Sequence, residues 1–237
     1  MRSLKRPLNW LLLGIALVSV AAILLGQESP FVRAMACARV PCPAFAYPHA
    51  WERIAYDLGI GSITSLFFYW LVVRLPENVK RRRIRNSFAR HFREFKEDAI
   101  ATMLMVTDGT YTYGFHQELV DQKKFREYFQ QQVGQGQDRW DSLHNKMTEY
   151  ALDELLTQLE VLRAEIVFTM AAIDIEDEKV LEFMKRLSAT IMKMRRTTLD
   201  YDSMKSFGNF MYEIFGGFNL VSGYQTRDFF EDMIQEI

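Results

Sequence analysis

The chain offers few side chains whose types and spacing suit catalysis or metal binding. Its four histidines are scattered: His49, His91, His116 and His144. His91 and Glu94 share one helical face, but Glu94 lies among basic residues that can pair with it. His116 and Glu118 lack the spacing that brings two helical metal ligands together. We therefore predict no metal site and no cofactor.

Catalytic motifs do not supply an activity either. The sequence has no glycine-rich phosphate loop, no dinucleotide-binding fingerprint and no nucleophile elbow. The loop TDGTYTYGFH, residues 107–116, would be our first choice for an active site, because Asp108 and His116 lie at its two ends. Neither residue belongs to a recognisable catalytic pattern, so we predict that the chain is not an enzyme.

The two cysteines are too few for a disulfide framework or a four-thiolate zinc site. Cys37 and Cys42 lie in a proline-rich segment without histidine or acidic neighbours at ligand spacing. If this segment faces an oxidising compartment, a small-loop disulfide between them is expected. Free or intermolecular thiols are the alternative.

Two uncharged apolar runs dominate the first 76 residues. The first covers residues 10–26 after the basic start MRSLKR, and the second covers Leu58–Val73. Both approach the length that spans a bilayer, the second if its helix extends over residues 54–75. A cleaved signal peptide is the alternative for the first run, and a buried core helix for the second. We predict a two-helix transmembrane hairpin whose outer loop covers about residues 27–53.

Flanking charges orient this hairpin. Arg2, Lys5 and Arg6 precede the first run, and a basic cluster over residues 80–96 follows the second, whereas the predicted loop holds three arginines. The excess of Lys and Arg on cytoplasmic segments therefore predicts that both termini lie in the cytoplasm.

Small residues provide points of close approach between the predicted spans. Ala22 and Gly26 are four residues apart in the first, as are Gly61 and Ser65 in the second. This spacing lets helix backbones pack closely in lipid. We favour packing within the hairpin over an interface between copies of the chain.

Charge is strongly segregated along a chain whose net charge is −1. Residues 80–96 carry eight basic side chains and one acidic side chain, whereas residues 97–237 carry 14 basic and 25 acidic ones, a net of −11. We predict that the basic junction contacts anionic lipid headgroups through Lys80, Arg81, Arg82, Arg83 and Arg85. The alternative is that these charges only guide insertion. The acidic remainder argues against a nucleic-acid partner.

Helical periodicity covers residues 77–237. Apolar residues recur at steps of three and four in a helix to about Val106, and again over residues 118–132, 139–172, 180–194 and 204–218. Asp138 is placed to cap the third of these helices, and Asp174 or Asp177 the fourth. No segment alternates long enough to indicate a strand. We predict an all-α chain in two domains, the hairpin at 1–76 and a cytoplasmic bundle of five or six helices at 77–237.

One segment carries a resemblance. FFYWLVVRLPENVKRRRIRNSFARHFREFKEDAIATML, within residues 59–104, is similar to a loose group of uncharacterised bacterial two-span inner-membrane proteins with a basic junction and a helical cytoplasmic region. The resemblance implies a bacterial inner-membrane setting and adds no information on activity.

These observations define three functional hypotheses. The first is a membrane-anchored helical sensor or scaffold that binds a cytoplasmic protein partner or a second copy of itself. The second is a membrane-perturbing effector of a bacterial defence or toxin system, whose hairpins form a pore or leak. The third is an enzyme with an unrecognised helical active site.

Overall fold

A computed structural model describes residues 2–26, 49–134, 136–219, 223–224 and 227–237. About 80% of the chain is helical, as the sequence predicts. The chain divides into two compact units, Met1–Lys80 and Arg81–Ile237. The expected disulfide between Cys37 and Cys42 lies outside the described residues.

The described part of the first unit, residues 2–26 and 49–80, begins with two helices. Helix α1 is Arg2–Gly26, and helix α2 is His49–Tyr69. A π-helical turn, Trp70–Arg74, joins α2 to helix α3, Leu75–Asp108. The wide turn ends two residues before Pro76, which has no N–H to continue the ordinary i to i−4 hydrogen bonds. Pro76 stands in the first turn of α3.

Among the described residues, one helix is long and apolar enough to cross a membrane. This helix covers Arg53–Asp108, through α2, the π-helical turn and α3. Only 6% of the residues in its apolar window are buried. Large side chains there are open to the surroundings, including Phe68 and Val72, the latter 63% exposed. A shorter apolar helical stretch covers Trp10–Leu24 within α1.

Helices α1 and α2 are in close contact at Gly59. A Cβ atom placed on Gly59 would lie 2.9 Å from the carbonyl oxygen of Ser19 and 2.8 Å from Cγ1 of Ile23. A Cβ placed on Gly61 would meet open space, and the exposed Ser65 hydroxyl donates to the Gly61 carbonyl, 2.8 Å away. The close approach is thus two residues before the glycine expected from spacing.

The partners expected in α1 are only partly described. Ala22 is half-buried, one residue before Ile23. The burial of Gly26 lies outside the described residues.

The second unit contains the rest of α3 and further elements in the following order: α4 (Phe115–Glu118), α5 (Gln122–Phe129), β1 (Gln132–Gly134), β2 (Gln137–Asp138), α6 (Arg139–Lys146), α7 (Glu149–Ala172), α8 (Glu178–Met194), α9 (Tyr201–Gly216), β3 (Phe218–Asn219), β4 (Gly223–Tyr224) and α10 (Phe229–Gln235). Helices α7 and α8 pack together as a helical hairpin.

The core of the second unit is built from the predicted stripes. Helix α3 contributes Phe88, Phe92, Phe95, Ala99 and Met103, all buried. The stripes of α7, α8 and α9 are also buried, at Leu152, Leu155, Leu159, Leu162, Ile166, Val180, Met184, Leu187, Ile191, Met204, Phe207, Met211 and Ile214. Helical period alone therefore locates the core.

One predicted helix is divided and a short helix is added, so the second unit has more helical segments than the five or six expected. The helix expected over 118–132 is shorter, α5, because the Asp121 carboxylate accepts hydrogen bonds from two backbone N–H groups and begins the helix there. Helix α4 begins within the segment expected to be a loop. The helix expected over 139–172 is α6 plus α7, which the Thr148 hydroxyl begins in the same way. Asp138 and Asp177 cap α6 and α8.

Short antiparallel strands, absent from our sequence prediction, form two turns. Strand β1 pairs with β2, and β3 pairs with β4 so that Phe218 lies opposite Tyr224. Strands of two or three residues are too short to show an alternating pattern. Gly217 has a φ of 61° and ends α9 in the left-handed conformation that glycine favours.

A buried charge fastens the C-terminal helix to the core. The Lys96 side chain, 1% exposed, donates from Nζ to Asp228 Oδ2 and Glu231 Oε1, each 2.8 Å away. Beside it, the Phe230 ring stacks on Phe92 with centroids 6.0 Å apart. Ile234 is also buried, so the terminal amphipathic segment is docked in the core.

We predict that Gly59→Leu separates α1 from α2. The leucine has no room beside Ser19 and Ile23, and overpacking of this kind costs about 1–3 kcal/mol. In detergent-solubilised protein, hydrogen exchange of the α1 amides should accelerate about ten- to hundredfold. Gly61→Leu is the matched control and should leave exchange unchanged. Equal exchange in the two variants would contradict the contact.

A second prediction concerns Lys96. Lys96→Met should lower the free energy of unfolding by about 3 kcal/mol, because Asp228 keeps a largely buried carboxylate without its cation. Adding Asp228→Asn and Glu231→Gln should restore part of the loss. Lys123→Met removes an exposed lysine and should change stability by less than about 1 kcal/mol. Chemical denaturation measures all three, and a Lys96→Met change as small as the control would refute the buried anchor.

Candidate functional site

The second unit contains a cavity of about 650 Å³, which is within the usual size of small-molecule sites. Helices α6, α8 and α9 and strands β3 and β4 contribute to its walls. Five aromatic side chains line it: Trp140, Phe210, Tyr212, Phe218 and Tyr224. We call it the aromatic cavity.

Four of these rings, those of Trp140, Tyr212, Phe218 and Tyr224, are inclined to one another and do not form a flat stack. Trp140 and Tyr212 have centroids 5.0 Å apart and planes at 63°. Tyr212 and Phe218 are 6.4 Å apart at 63°, and Phe218 and Tyr224 are 5.0 Å apart at 59°. Such inclined contacts bring the edge of one ring towards the face of the next, as aromatic pairs prefer.

Hydrogen bonds fix the two tyrosines. The Gln130 amide Nε2 donates to the hydroxyl oxygen of Tyr212 at 3.0 Å and to that of Tyr224 at 2.7 Å. Arg126 donates to the carbonyl of Gly216 at 2.8 Å, and its guanidinium carbon lies 5.0 Å from the centroid of the Tyr224 ring. These contacts hold the end of α9 and strand β4 against α5.

Tyr212 is the strongly perturbed titratable group of the cavity. Burial raises its pKa well above the ordinary range, and the hydrogen bond with Tyr224 raises it further, while donation from Gln130 acts in the opposite direction. The Tyr212 hydroxyl is therefore neutral at physiological pH and can donate a hydrogen bond.

The lining of the aromatic cavity is acidic. It includes Asp138 and Glu213, and no Lys, Arg or His is among its described lining residues. Asp138 also accepts the N–H of Asp141 at 2.8 Å as the cap of α6. A smaller cavity of about 280 Å³ adjoins it and shares Thr190, Phe210, Glu213 and Phe218.

The loop that we ranked first from sequence has a different role. Asp108 accepts a hydrogen bond from the Tyr128 hydroxyl and lies 3.4 Å from Arg139 Nη1, whose guanidinium carbon is 4.3 Å from the Tyr128 ring centroid. Burial and the contact with Asp108 raise the pKa of Tyr128. His116 packs edge-on against Tyr111. The Asp108 carboxylate is thus engaged in fastening α3 to α5 and α6.

His91 and His144 also make structural contacts. His91 Nδ1 is 3.1 Å from Glu165, which joins α3 to α7. His144 Nδ1 is 2.8 Å from the carbonyl oxygen of Trp140, and because a carbonyl only accepts, Nδ1 carries the proton. In the part of the chain that the structure describes, no three His, Cys, Asp or Glu side chains are grouped to hold a metal ion.

The basic junction is divided between protein contacts and exposure. Arg81 donates to the Asp174 carbonyl and pairs with Glu176 at 3.1 Å, and Arg85 lies 3.5 Å from the Gln235 carbonyl. The remaining members, Lys80, Arg82 and Arg83, are exposed.

Comparison with protein-family models, with curated proteins and with solved structures finds no match to this chain. The aromatic cavity therefore has to be interpreted from its own geometry. Sequence reasoning missed it, although aromatic residues on both sides of the Gly216–Gly217 pair were a usable signal.

We predict that Tyr224→Phe lowers the pKa of Tyr212 without returning it to the ordinary value of about 10. The substitution removes the Tyr224 hydroxyl, to which the Tyr212 hydroxyl is hydrogen-bonded, but leaves the burial of Tyr212. NMR titration of ¹³C-labelled tyrosine measures the effect. Tyr150→Phe, which changes an exposed tyrosine of α7, should have none. An unchanged Tyr212 titration in Tyr224→Phe would contradict the hydrogen-bond network.

Proposed function

We propose that this chain is a membrane-anchored helical module that senses or scaffolds a cytoplasmic protein partner and performs no catalysis of its own. The observation that carries the proposal is the exposed apolar helix from Arg53, whose window is almost entirely unburied. Such a surface is costly in water and favourable in the hydrocarbon of a bilayer.

The proposal includes a second span in α1. Residues 10–24 are apolar, and Trp10 and Val18 are 73% and 70% exposed. Helix α1 also packs on α2 at Gly59, and close backbone contact at glycine is how helices associate in lipid. A two-span hairpin accounts for both the outer apolar surface and this inner contact.

Positive charges on both flanks support cytoplasmic termini in a bacterial inner membrane. In this arrangement Lys80, Arg82 and Arg83 are the junction residues available to anionic headgroups, at about 1 kcal/mol for each charge near the surface. Arg81 and Arg85 engage the second unit instead, so we assign them to the attachment of α3 rather than to lipid.

The partner-binding role rests on the second unit. It has its own buried core, and residues 97–237 carry a net charge of −11. The same sign on an anionic membrane repels this surface, which favours its availability to a partner in the cytoplasm.

The topology of the chain in the membrane can be measured, and it tests the proposal. Reporter fusions after Phe45 and after Ile237 should report opposite sides of the membrane, with the C-terminus cytoplasmic. A flexible linker is needed after Ile237, because its side chain is buried. The protein should stay in the membrane after an alkaline carbonate wash. Identical signals from both fusions, or release by carbonate, would reject the hairpin.

Induced expression with a membrane-potential dye separates this module from a pore-forming effector. A scaffold should leave the potential unchanged even at high expression. Rapid depolarisation that is abolished by Gly59→Leu and retained by Gly61→Leu would overturn the scaffold in favour of the effector.

A further inference from the structure

We propose that the outer face of α8 is a docking surface for an acidic amphipathic helix of a protein partner. The inference rests on the proposed function, because it names the chemistry of the partner that the membrane-anchored module binds. It is carried by a set of exposed basic side chains in a unit that is otherwise acidic.

Positive charge is concentrated on α8 and the residues just after it. Residues 183–199 contain no acidic side chain, although residues 97–237 carry a net charge of −11. Five basic side chains lie in this segment, all of them exposed: Lys185, Arg186, Lys193, Arg195 and Arg196. None of the five forms an ion pair or a side-chain hydrogen bond with another residue that the structure describes. We call this surface the basic face.

Two nearby carboxylates do not neutralise the basic face. Glu160 accepts a hydrogen bond from Arg163 at 2.7 Å, and this bond, followed by the charge of Arg195, lowers the pKa of Glu160. Asp202 lines a shallow cavity together with Lys193 and Arg196 and forms no ion pair with either. The cations of the basic face are therefore available to carboxylates of another molecule.

The basic side chains surround a small apolar centre. Ala189 and Met192 are exposed, Met192 by 64%, and they lie three residues apart on one side of α8. Lys185 precedes Ala189 by four residues and Arg196 follows Met192 by four, so the four positions form one helical stripe. An amphipathic helix bound here places its apolar side on Ala189 and Met192 and its carboxylates beside the cations.

Stabilisation of α8 itself explains only part of this charge. Lys193, Arg195 and Arg196 lie at the C-terminal end of the helix, where cations interact favourably with the helix dipole. Lys185 and Arg186 are more than two turns before that end, and the dipole effect is confined to the last turn. These two residues have no such role and extend the basic face along the helix.

The direction of α8 separates most of the basic face from Arg81, where α3 enters the second unit. His91 contacts Glu165, and Gln158 donates to the Thr102 hydroxyl, so α7 runs antiparallel to α3. Helix α8 reverses direction after the turn that follows α7 and therefore runs parallel to α3.

This direction favours a protein partner over lipid. The turn before α8 contacts Arg81 through Glu176 at 3.1 Å, and Met192 lies about 20 Å further along α8. That distance exceeds the roughly 8 Å over which exposed charges act at physiological salt. Headgroups that contact the junction therefore do not reach the centre of the basic face. A nucleic acid, with its high density of negative charge, is repelled by the acidic remainder of the unit.

An acidic peptide, LEELLELLEELLEL, tests the proposal with the full-length protein in nanodiscs of neutral lipid. Its lysine analogue, LKKLLKLLKKLLKL, has the same apolar side and the opposite charge. The Met192 methyl group, observed by ¹³C NMR of methyl-labelled methionine and assigned with Met192→Leu, reports binding at the basic face. Met105 of α3, 53% exposed, is the matched reporter elsewhere. The acidic peptide should shift the Met192 resonance saturably and leave Met105 unchanged, and the lysine analogue should shift neither.

Two double variants remove the same number of positive charges. Lys193→Gln with Arg196→Gln should weaken binding of the acidic peptide about tenfold, because two cations of the basic face are lost. Lys123→Gln with Lys124→Gln, at exposed positions of α5, is the matched control and should change the affinity by less than about twofold. Ala189→Glu places a carboxylate at the apolar centre and should abolish binding, while circular dichroism shows an unchanged helical content because position 189 is exposed.

Absence of a saturable Met192 shift with the acidic peptide would overturn the proposal, as would equal weakening in the two double variants. A thymidine oligonucleotide that shifts Met192 at a lower concentration than the peptide would reassign the basic face to nucleic acid. The same shift in nanodiscs of anionic lipid would reassign it to the membrane, and a shift that grows with protein concentration alone would reassign it to a second copy of the chain.

The reporter fusions fail or succeed independently of these measurements. Cytoplasmic topology without peptide binding would overturn this inference alone, whereas peptide binding with failed topology would overturn the membrane anchor alone.

Discussion

A single buried ammonium group constrains the second unit. Because Lys96 is inaccessible to water, its charge is tolerable only while Asp228 and Glu231 stay beside it. This requirement holds α10 against α3, more than 130 residues away in sequence. Phe230 is then positioned against Phe92 and Phe183, and α10 closes one wall of the smaller cavity that adjoins the aromatic cavity.

Much of the fold follows from helical period and capping residues. Stripes such as Leu152–Ile166 predict both the helix and its buried face, since an apolar side every three or four residues has to be covered. The break at Thr148 could not be found in this way, because α6 and α7 both continue the same spacing. Thr148 differs from a residue inside a helix only because its hydroxyl accepts a backbone hydrogen bond at the start of α7.

The candidate site was much less predictable. The walls of the aromatic cavity come from helices and strands separated by up to about 90 residues, and each aromatic residue also fits a core stripe or a turn. Sequence spacing does not reveal which rings face a common space.

The same difficulty affects the basic junction. Arg81 appears available to lipid when only its neighbours are considered, whereas its partners Asp174 and Glu176 lie after α7. Local sequence patterns therefore predict where the helices lie, but they do not predict which residues these helices contact in the folded chain.

The packing of His144 against α9 has a consequence for how this protein can vary. Gly208 faces the imidazole so closely that a Cβ atom there would overlap the ring, and the ring itself is fixed by the Trp140 carbonyl. A side chain at 208 is therefore acceptable only together with a smaller residue at 144. The two positions form an epistatic pair, in which either change alone disturbs Trp140 and hence a wall of the aromatic cavity.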